Sequence, residues 1–200
     1  IWALIEANLR ARQETETADA LATALDAYLR TSEIFALRAE DIAVTGAASG
    51  SPVVSLRLGV VERGERTKTG IRQGVLIDWP YVADLLLRRK NERKSTDRVF
   101  TISVDHYRRQ LQKSAVDLQL GDLGPAHSVR HSGPSHDAAV GYRSIWQIQR
   151  RGRWASERSV MRYAKTHTLN EARAMFDPQT LERGQRLLDE RLGRPDRARE

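Results

Sequence analysis

Two pairs of residues in the sequence combine side chains that suit chemistry on a phosphate group. Arg30 and Glu33 lie three positions apart in the stretch LRTSE. His127 and Arg130 have the same spacing in HSVRH. Residues three apart lie on one face of a helix, so the members of each pair can act together. A guanidinium keeps its charge and offers a planar set of donors that matches a phosphate. Either pair on its own also fits an ordinary surface ion pair or a chance neighbour.

A tryptophan and a tyrosine lie nine positions apart in the stretch GRWASERSVMRY. Trp154 and Tyr163 belong to residues 142–165, which hold seven basic residues and one acidic residue. A phenol has a pKa of about 10, so it attacks poorly at neutral pH unless cations lower that pKa or a base takes its proton. An indole N–H can donate to a phosphate oxygen. The segment therefore indicates a phosphate-binding site, with two core aromatic residues as the alternative.

The positive charge of the chain is concentrated in its second half. The 200 residues include 33 Lys and Arg against 26 Asp and Glu, a net charge of +7. Residues 1–100 hold 15 bases and 14 acids, a net charge of +1, whereas residues 101–200 hold 18 and 12, a net charge of +6. Concentrated positive charge is typical of proteins that bind a polyanion, above all nucleic acid. A solvated helix face is the alternative explanation.

The composition excludes several classes of protein. Hydrophobic residues make up 40% and charged residues 30%, which is typical of a globular chain with a sizeable core. The sequence has no apolar run of about 18 residues, so we expect no membrane span. It has no cysteine, and no carboxylates cluster with histidine, so we expect neither a metal nor another cofactor. We expect an intracellular protein, in the cytoplasm or nucleoid of a prokaryote or the nucleus of a eukaryote.

The elements that must position these residues are mostly helices. Gly133-Pro134 is expected to interrupt the helix that begins near His127. Gly152 is expected to end the helix at 143–151. The fold class is therefore mainly α with a small antiparallel β-sheet (α+β). Periodicity and composition predict helices at 17–29, 81–92, 104–120 and 143–151, a short helix or turn at 33–42, strands at 53–61 and 74–78 joined by a charged hairpin loop, a loop at 43–52, and one or two helices at 170–193.

Taken in chain order, these segments resemble the catalytic domain of the tyrosine recombinases (the phage-integrase family) over roughly residues 10–170. LRTSEIFAL looks like the segment around the family's first arginine, HSVRHS like its HxxRH box, and the run from Gly152 to Tyr163 like the box that ends in the nucleophile. That last box usually has Gly-His, with Trp as an alternative to His. Here Arg153 and then Trp154 follow the glycine, so the nine-residue spacing selects Trp154 at the cost of one inserted residue. Which of the two meets the phosphate stays open.

The resemblance implies DNA strand cleavage and rejoining through a 3′-phosphotyrosyl intermediate, for site-specific recombination or DNA integration. The intermediate keeps the bond energy, so no ATP is required. It also implies the following roles: Tyr163 as nucleophile, Arg30 and Arg130 as phosphate clamps, Lys68 as general acid, His127 as proton acceptor, Trp154 as N–H donor to the phosphate, and Glu33 as the residue that holds Arg30 or His127.

The implied partners are double-stranded DNA and further copies of the chain, as a homo-oligomer (tetramer) on DNA. Lys68 lies beside two arginines in the hairpin loop, and any of the three can point at DNA. His131 is expected to have a structural role, and His136 to be a surface or core histidine. The arginines expected to contact DNA are Arg66, Arg72, Arg143, Arg150, Arg151, Arg153 and Arg158.

The resemblance also suggests how the chain is divided. Residues 1–16 are expected to be a linker or the end of a missing N-terminal DNA-binding domain, residues 17–193 the catalytic domain, and residues 194–200 a charged tail. The leucines of the 170–193 segment suit packing within the chain or docking on a neighbouring copy: Leu181, Leu187, Leu188 and Leu192.

Three other functions fit part of the pattern. A type IB topoisomerase-like enzyme uses the same cleavage chemistry, but the LRTSE segment favours a recombinase. A non-catalytic DNA-binding relic of a recombinase would keep only the basic face. A purely structural helical protein would explain neither the clustered charge nor the order of the segments.

Overall fold

Two helices lie at the centre of the fold in the computed structural model, which describes residues 1–46, 52–60, 63–64, 73–161, 171 and 174–192. Helix α1 spans Trp2–Ala11 and helix α2 spans Thr15–Ala27. Every residue of α2 from Thr17 onwards is buried. The many alanines of this helix let its neighbours approach it from all sides.

The other elements surround this pair. The prediction of a mainly helical fold with a small antiparallel sheet is confirmed. In chain order, the elements after α2 are α3 (Thr31–Ala36), a 3₁₀ turn (Ala39–Asp41), β1 (Ile42–Thr45), β2 (Val53–Leu58), β3 (Gln73–Leu76), α4 (Pro80–Asn91), α5 (Val104–Asp117), α6 (Ser128–Ala139), α7 (Ile145–Gly152), α8 (Glu157–Met161) and α9 (Pro178–Leu192).

The sheet has the antiparallel order β1-β2-β3, with Leu56 of β2 opposite Ile42 on one side and Val75 on the other. The hairpin of β2 and β3 was predicted. The prediction that residues 43–52 form a loop was wrong at its start, because β1 continues to Thr45. Four residues are too few to show a strand period, and pairing with β2 supplies the hydrogen bonds that fix β1 as a strand.

Two predicted helix boundaries were also wrong. Helix α6 continues through Gly133 and Pro134, although Pro134 has no N–H to donate to the helix. A Cβ on residue 133 would lie 2.7 Å from the Leu25 carbonyl oxygen, so the glycine allows α6 to pack closely against α2. Helix α7 includes Gly152, and the left-handed residue that ends it is Arg153.

The two ends of the described chain pack against each other. Ile5 and Leu9 of α1 are fully buried in the same core as α2, so the segment predicted as a linker or the end of another domain contributes to the core. Helix α9 lies on α1 of its own chain, where Gly184 is buried and Arg191 pairs with the buried Glu6. No helix in the described ranges combines the length and apolar character needed to cross a membrane.

Candidate active site

A largely buried carboxylate, that of Glu33, organises the candidate site, and its side chain is 11% exposed. Its Oε2 accepts the backbone N–H of Arg30 at 2.7 Å, which caps the first turn of α3, and its Oε1 accepts from the Arg30 guanidinium at 2.6 Å. Oε2 also accepts from Arg153 at 2.8 Å and lies 3.5 Å from Nη1 of Arg130. Burial raises the pKa of Glu33, but Arg153, the Arg30 N–H and Arg130 outweigh burial and lower it overall. Glu33 is therefore an anion that gathers three cations.

The cation of the HxxR segment lies beneath the surface. Arg130 is only 2% exposed, and its Nη2 donates to the Gly152 carbonyl at 2.6 Å. Its Nη1 donates to the Tyr28 carbonyl. The indole of Trp154 covers the guanidinium, with Cζ of Arg130 4.9 Å from the ring centroid. Arg130 thus joins α6 to the ends of α2 and α7 and holds its charge in a protected position.

The carbonyl end of α2 supplies acceptors for these arginines. The last carbonyls of a helix have no donors within it and carry the negative end of its dipole, so they attract cations. Tyr28, the residue that follows α2, adopts a left-handed conformation (φ 51°, ψ 46°). Arg151 donates to the Asp26 carbonyl at 2.7 and 2.9 Å, Arg153 to the carbonyls of Ala27 and Tyr28 at 3.2 Å each, and Arg130 to the Tyr28 carbonyl.

Arg153 and Trp154, the alternatives at the inserted position, take different places. Arg153 is 8% exposed and directs its guanidinium inward to Glu33, and burial lowers its pKa. Trp154 is half-buried and lies on Arg130. The indole fits because residue 152 is glycine: a Cβ there would lie 1.7 Å from the ring. Of the two side chains, that of Trp154 is nearer to solvent.

His127 lies exposed at the start of α6, and its ring meets that of His131 edge-on at 4.6 Å between centroids. Burial and the nearby Arg130 and Arg30 lower the pKa of His127. Burial, His127 and Arg130 lower the pKa of His131 to about 4. Both imidazoles are therefore neutral at pH 7, the form in which a ring nitrogen can accept a proton.

Acidification is expected to destabilise the wild-type protein more than a His131→Gln variant. The unfolded chain protonates His131 near its ordinary pKa of about 6.5, whereas the folded protein keeps it neutral down to about 4. The unfolded state then binds more protons, so this contribution to stability is complete above pH 6.5 and is lost as the pH falls towards 4. Urea unfolding of both proteins at about pH 7.5 and about pH 4.5 measures the effect. An equal loss in both would contradict it.

A cleft of about 570 Å³ opens beside the site and brings Arg30 and His127 to one surface. Its walls come from the start of α3, the segment before α6, and Arg108 and Gln112 of α5. Arg108, whose side chain is 60% exposed, was not among the residues predicted from the sequence. The four-residue spacing of Arg108 and Gln112 placed them on one helix face, but nothing in the sequence indicated that this face meets Arg30.

Arg143 and Arg151, two of the arginines predicted to contact DNA, pair with carboxylates of their own chain. Arg143 pairs with Asp137 and Asp78, and Arg151 pairs with Asp26 at 2.5 Å and Asp78 at 2.9 Å. Their side chains are only 12% and 9% exposed. Both guanidiniums therefore already have carboxylate partners in the fold, and their contact with DNA stays a prediction. Asp78 and Asp26 lie 65 and 125 positions from their arginines, so charge counting within one segment could not reveal these pairs.

The remaining predicted residues divide into two groups. Arg150 and Arg158 are exposed, and Arg150 lies over the exposed Trp146 ring at 4.7 Å. The others fall outside the described residues: Lys68, Arg66, Arg72 and Tyr163. Within the described ranges, no three His, Asp or Glu side chains come close enough to hold a metal ion.

Comparison with solved structures identifies chains of the same fold. The crystal structure of the XerH site-specific recombinase bound to palindromic difH substrate, a post-cleavage complex, matches 90% of this chain and 46% of its own length, with a TM-score of 0.57 and 16% identity. The pre-cleavage complex of XerH with difH matches 84% of this chain and 46% of its own length, with a TM-score of 0.57 and 14% identity. The crystal structure of the XerA recombinase matches 96% of this chain and 64% of its own length, with a TM-score of 0.57 and 14% identity.

These matches bear on the fold alone, since the identities are low and the chain spans less than two thirds of each matched chain. No protein-family model and no curated protein matches the sequence significantly. The predicted resemblance is nevertheless confirmed in three dimensions, over nearly the whole chain. The described chain has the fold of the tyrosine recombinase catalytic domain.

Proposed function

We propose that this chain cleaves and rejoins DNA strands through a covalent 3′-phosphotyrosyl intermediate, in site-specific recombination or DNA integration. The observation that carries the proposal is the convergence of Arg30, Arg130 and Arg153 on Glu33, beside a cleft that also presents His127. These residues are distant in sequence, and they meet in a chain whose fold is that of recombinases. A phosphodiester needs such cations when no metal balances the charge of its transition state.

The proposed reaction assigns one step to each group. The Tyr163 oxygen attacks phosphorus, the bond from phosphorus to the 5′ oxygen breaks, and a 3′-phosphotyrosyl bond forms. His127 accepts the proton of the phenol, and Lys68 protonates the leaving 5′ oxygen. A 5′-hydroxyl of the same or another strand then attacks the phosphotyrosine and reverses the chemistry.

Each of the described site residues has a different role in binding the phosphate. Arg30 lines the cleft and contacts the phosphate directly. Arg130, buried under Trp154, supplies positive charge from beneath, which is effective because the surroundings have a low dielectric constant. The indole N–H of Trp154 completes the set of donors. The exposed Arg150 and Arg158 bind neighbouring phosphates of the DNA backbone. The active form is a homo-oligomer on DNA.

Covalent trapping tests the proposal. The protein is incubated with a library of nicked genomic duplexes. Cleavage close to a nick releases a short fragment that carries the 5′-hydroxyl, and its loss prevents rejoining. DNA-linked protein is then detected on a denaturing gel. We expect an adduct that Tyr163→Phe reduces at least about 10³-fold. Tyr142→Phe, which alters a tyrosine that is 50% exposed, is the matched control and keeps the adduct.

Each other outcome has a distinct meaning. An adduct that survives Tyr163→Phe would place the nucleophile elsewhere. Salt-dependent binding with no adduct would favour a non-catalytic DNA-binding protein. If an adduct forms, relaxation of a one-site plasmid without exchange between two sites would favour a topoisomerase.

A further inference from the structure

Tyr28 combines three properties that ordinary core tyrosines do not share. It is 1% exposed, it follows the last residue of α2, and its backbone is left-handed (φ 51°, ψ 46°). Residues with a side chain avoid that conformation, and they keep it only where the surrounding structure holds them there. Both the backbone and the ring of Tyr28 contact the candidate site.

The backbone of Tyr28 positions two of the arginines. Its carbonyl accepts from Nη1 of Arg130 and from Nη2 of Arg153, the latter at 3.2 Å. If the chain continued as a regular helix at this point, the carbonyl would lie along the axis of α2. The left-handed turn presents it to both guanidiniums beside Glu33.

The ring of Tyr28 supports the indole that covers Arg130. Its centroid is 6.5 Å from that of Trp154, with the planes inclined by 39°. The hydroxyl donates to Asp137 and accepts from Arg143 at 3.3 Å, so it is fixed at its far end. Burial and Asp137 raise the pKa of Tyr28, which keeps the hydroxyl protonated as a donor.

Glycine opens the space that this ring occupies. A Cβ on Gly133 of α6 would lie 2.7 and 2.8 Å from two carbons of the Tyr28 ring. Gly152 makes the corresponding room for Trp154. The two glycines therefore admit an aromatic pair between α6 and α7, directly against the buried guanidinium of Arg130.

We propose that Tyr28 is a positioning residue of the site: its left-handed carbonyl aligns Arg130 and Arg153, and its ring, held by Asp137, keeps Trp154 over Arg130. This inference rests on the proposed function, because the alignment matters for the cleavage of a phosphodiester. Tyr28 itself does not contact the phosphate. Small displacements of aligned groups lower reaction rates strongly, so loss of this support should affect the rate more than DNA binding.

Two variants test the inference in the trapping assay, under single-turnover conditions. Tyr28→Phe keeps the ring but loses the bond to Asp137, and we expect the adduct-forming rate at saturating DNA to fall about tenfold. Tyr28→Gly tolerates the left-handed backbone but removes the ring, and we expect a fall of about a hundredfold. In both, the half-saturating DNA concentration should change by less than about threefold.

The matched control is Tyr107→Phe, which removes the hydroxyl of another fully buried tyrosine, on α5, with no hydrogen-bond partner among the described residues. It should leave the rate unchanged. A purely structural role for Tyr28 would reduce the fraction of folded protein, and thus the amplitude, but not the rate constant. Wild-type rate constants in both Tyr28 variants would overturn the inference.

Failure of the proposed function is distinguishable from failure of this inference. If the wild-type protein forms no adduct, the fluorescence of Trp154 still reports the environment of the indole. Subtracting the spectrum of the Trp154→Phe variant from that of the protein with Trp154 isolates this signal. We expect that difference spectrum to shift to longer wavelength in the Tyr28→Gly background, because the indole moves into water. An unchanged spectrum would overturn the inference without reference to catalysis.

Discussion

Glu33→Gln is expected to lower the free energy of unfolding by about 3–5 kcal/mol and to abolish the proposed DNA cleavage. The substitution keeps the size of the side chain but removes the charge that three guanidiniums share, those of Arg30, Arg130 and Arg153. Removing one partner of a buried ion pair leaves the other as an uncompensated charge, which accounts for the magnitude. Urea unfolding at pH 7 measures the loss of stability, and covalent trapping at low temperature measures cleavage by the molecules that remain folded.

The control for Glu33 is a glutamate that pairs with an arginine nearer to the surface. Glu40 lies 2.6 Å from Arg63, and its side chain is 33% exposed, against 11% for Glu33. Glu40→Gln should cost no more than about 1 kcal/mol, because the pair is partly exposed and Arg63 keeps its ion pair with Asp41 at 2.6 Å. Equal losses in the two variants would mean that Glu33 does not organise a buried cluster of cations.

Gly152→Ala is expected to displace Trp154 from Arg130 and to lower the free energy of unfolding by about 1–3 kcal/mol. The added Cβ would lie 1.7 Å from the indole ring, closer than any contact allows. The indole must then leave the guanidinium it covers, and the cation–π contact at 4.9 Å is lost. The fluorescence of Trp154 should shift to longer wavelength, and thermal unfolding should occur at a lower temperature.

Gly74→Ala is the control for the effect of adding a methyl group at a glycine. Its Cβ would lie 3.9 Å from the Leu56 carbonyl oxygen, an ordinary contact, in strand β3. Alanine there should leave the fluorescence unchanged and stability the same or higher by up to about 1 kcal/mol, since it restricts the unfolded chain. If Gly152→Ala behaved in the same way, the glycine would not be required for the position of Trp154.

The helices and the hairpin were predictable because their signals are local. Apolar periodicity located α2, α4 and α5 to within a few residues of their observed bounds. Strand β1 was missed because its four residues become a strand only by pairing with β2. The prediction that Gly133-Pro134 interrupts α6 was wrong, because the packing of α6 on α2 outweighs the loss of one hydrogen bond at Pro134.

The sequence by itself determined which residue types the site contains. The order of its segments placed Arg30, Glu33, His127 and Arg130 together, and they do lie near one another in the fold. The sequence also predicted a short helix or turn at 33–42 and a helix that begins near His127, where the structure has α3 and α6. The spacing within each pair is short-range geometry, which the sequence encodes directly. The meeting of the two pairs, with Glu33 and Arg130 97 positions apart, was implied only by the resemblance to the recombinases.

Only the tertiary structure decided which arginines face inward. Arg143, Arg151 and Arg153 lie in one basic segment of the sequence, but each pairs with a carboxylate from a distant segment (Asp78, Asp26 and Glu33), and these arginine side chains are at most 12% exposed. A positive charge is stable inside a protein only where a compensating charge or carbonyl lies within hydrogen-bonding distance. The carboxylate partners lie 125 positions from Arg151 and 120 positions from Arg153. The packing of the helices, and not the run of charges, therefore decides which arginines of this segment are covered and which are exposed.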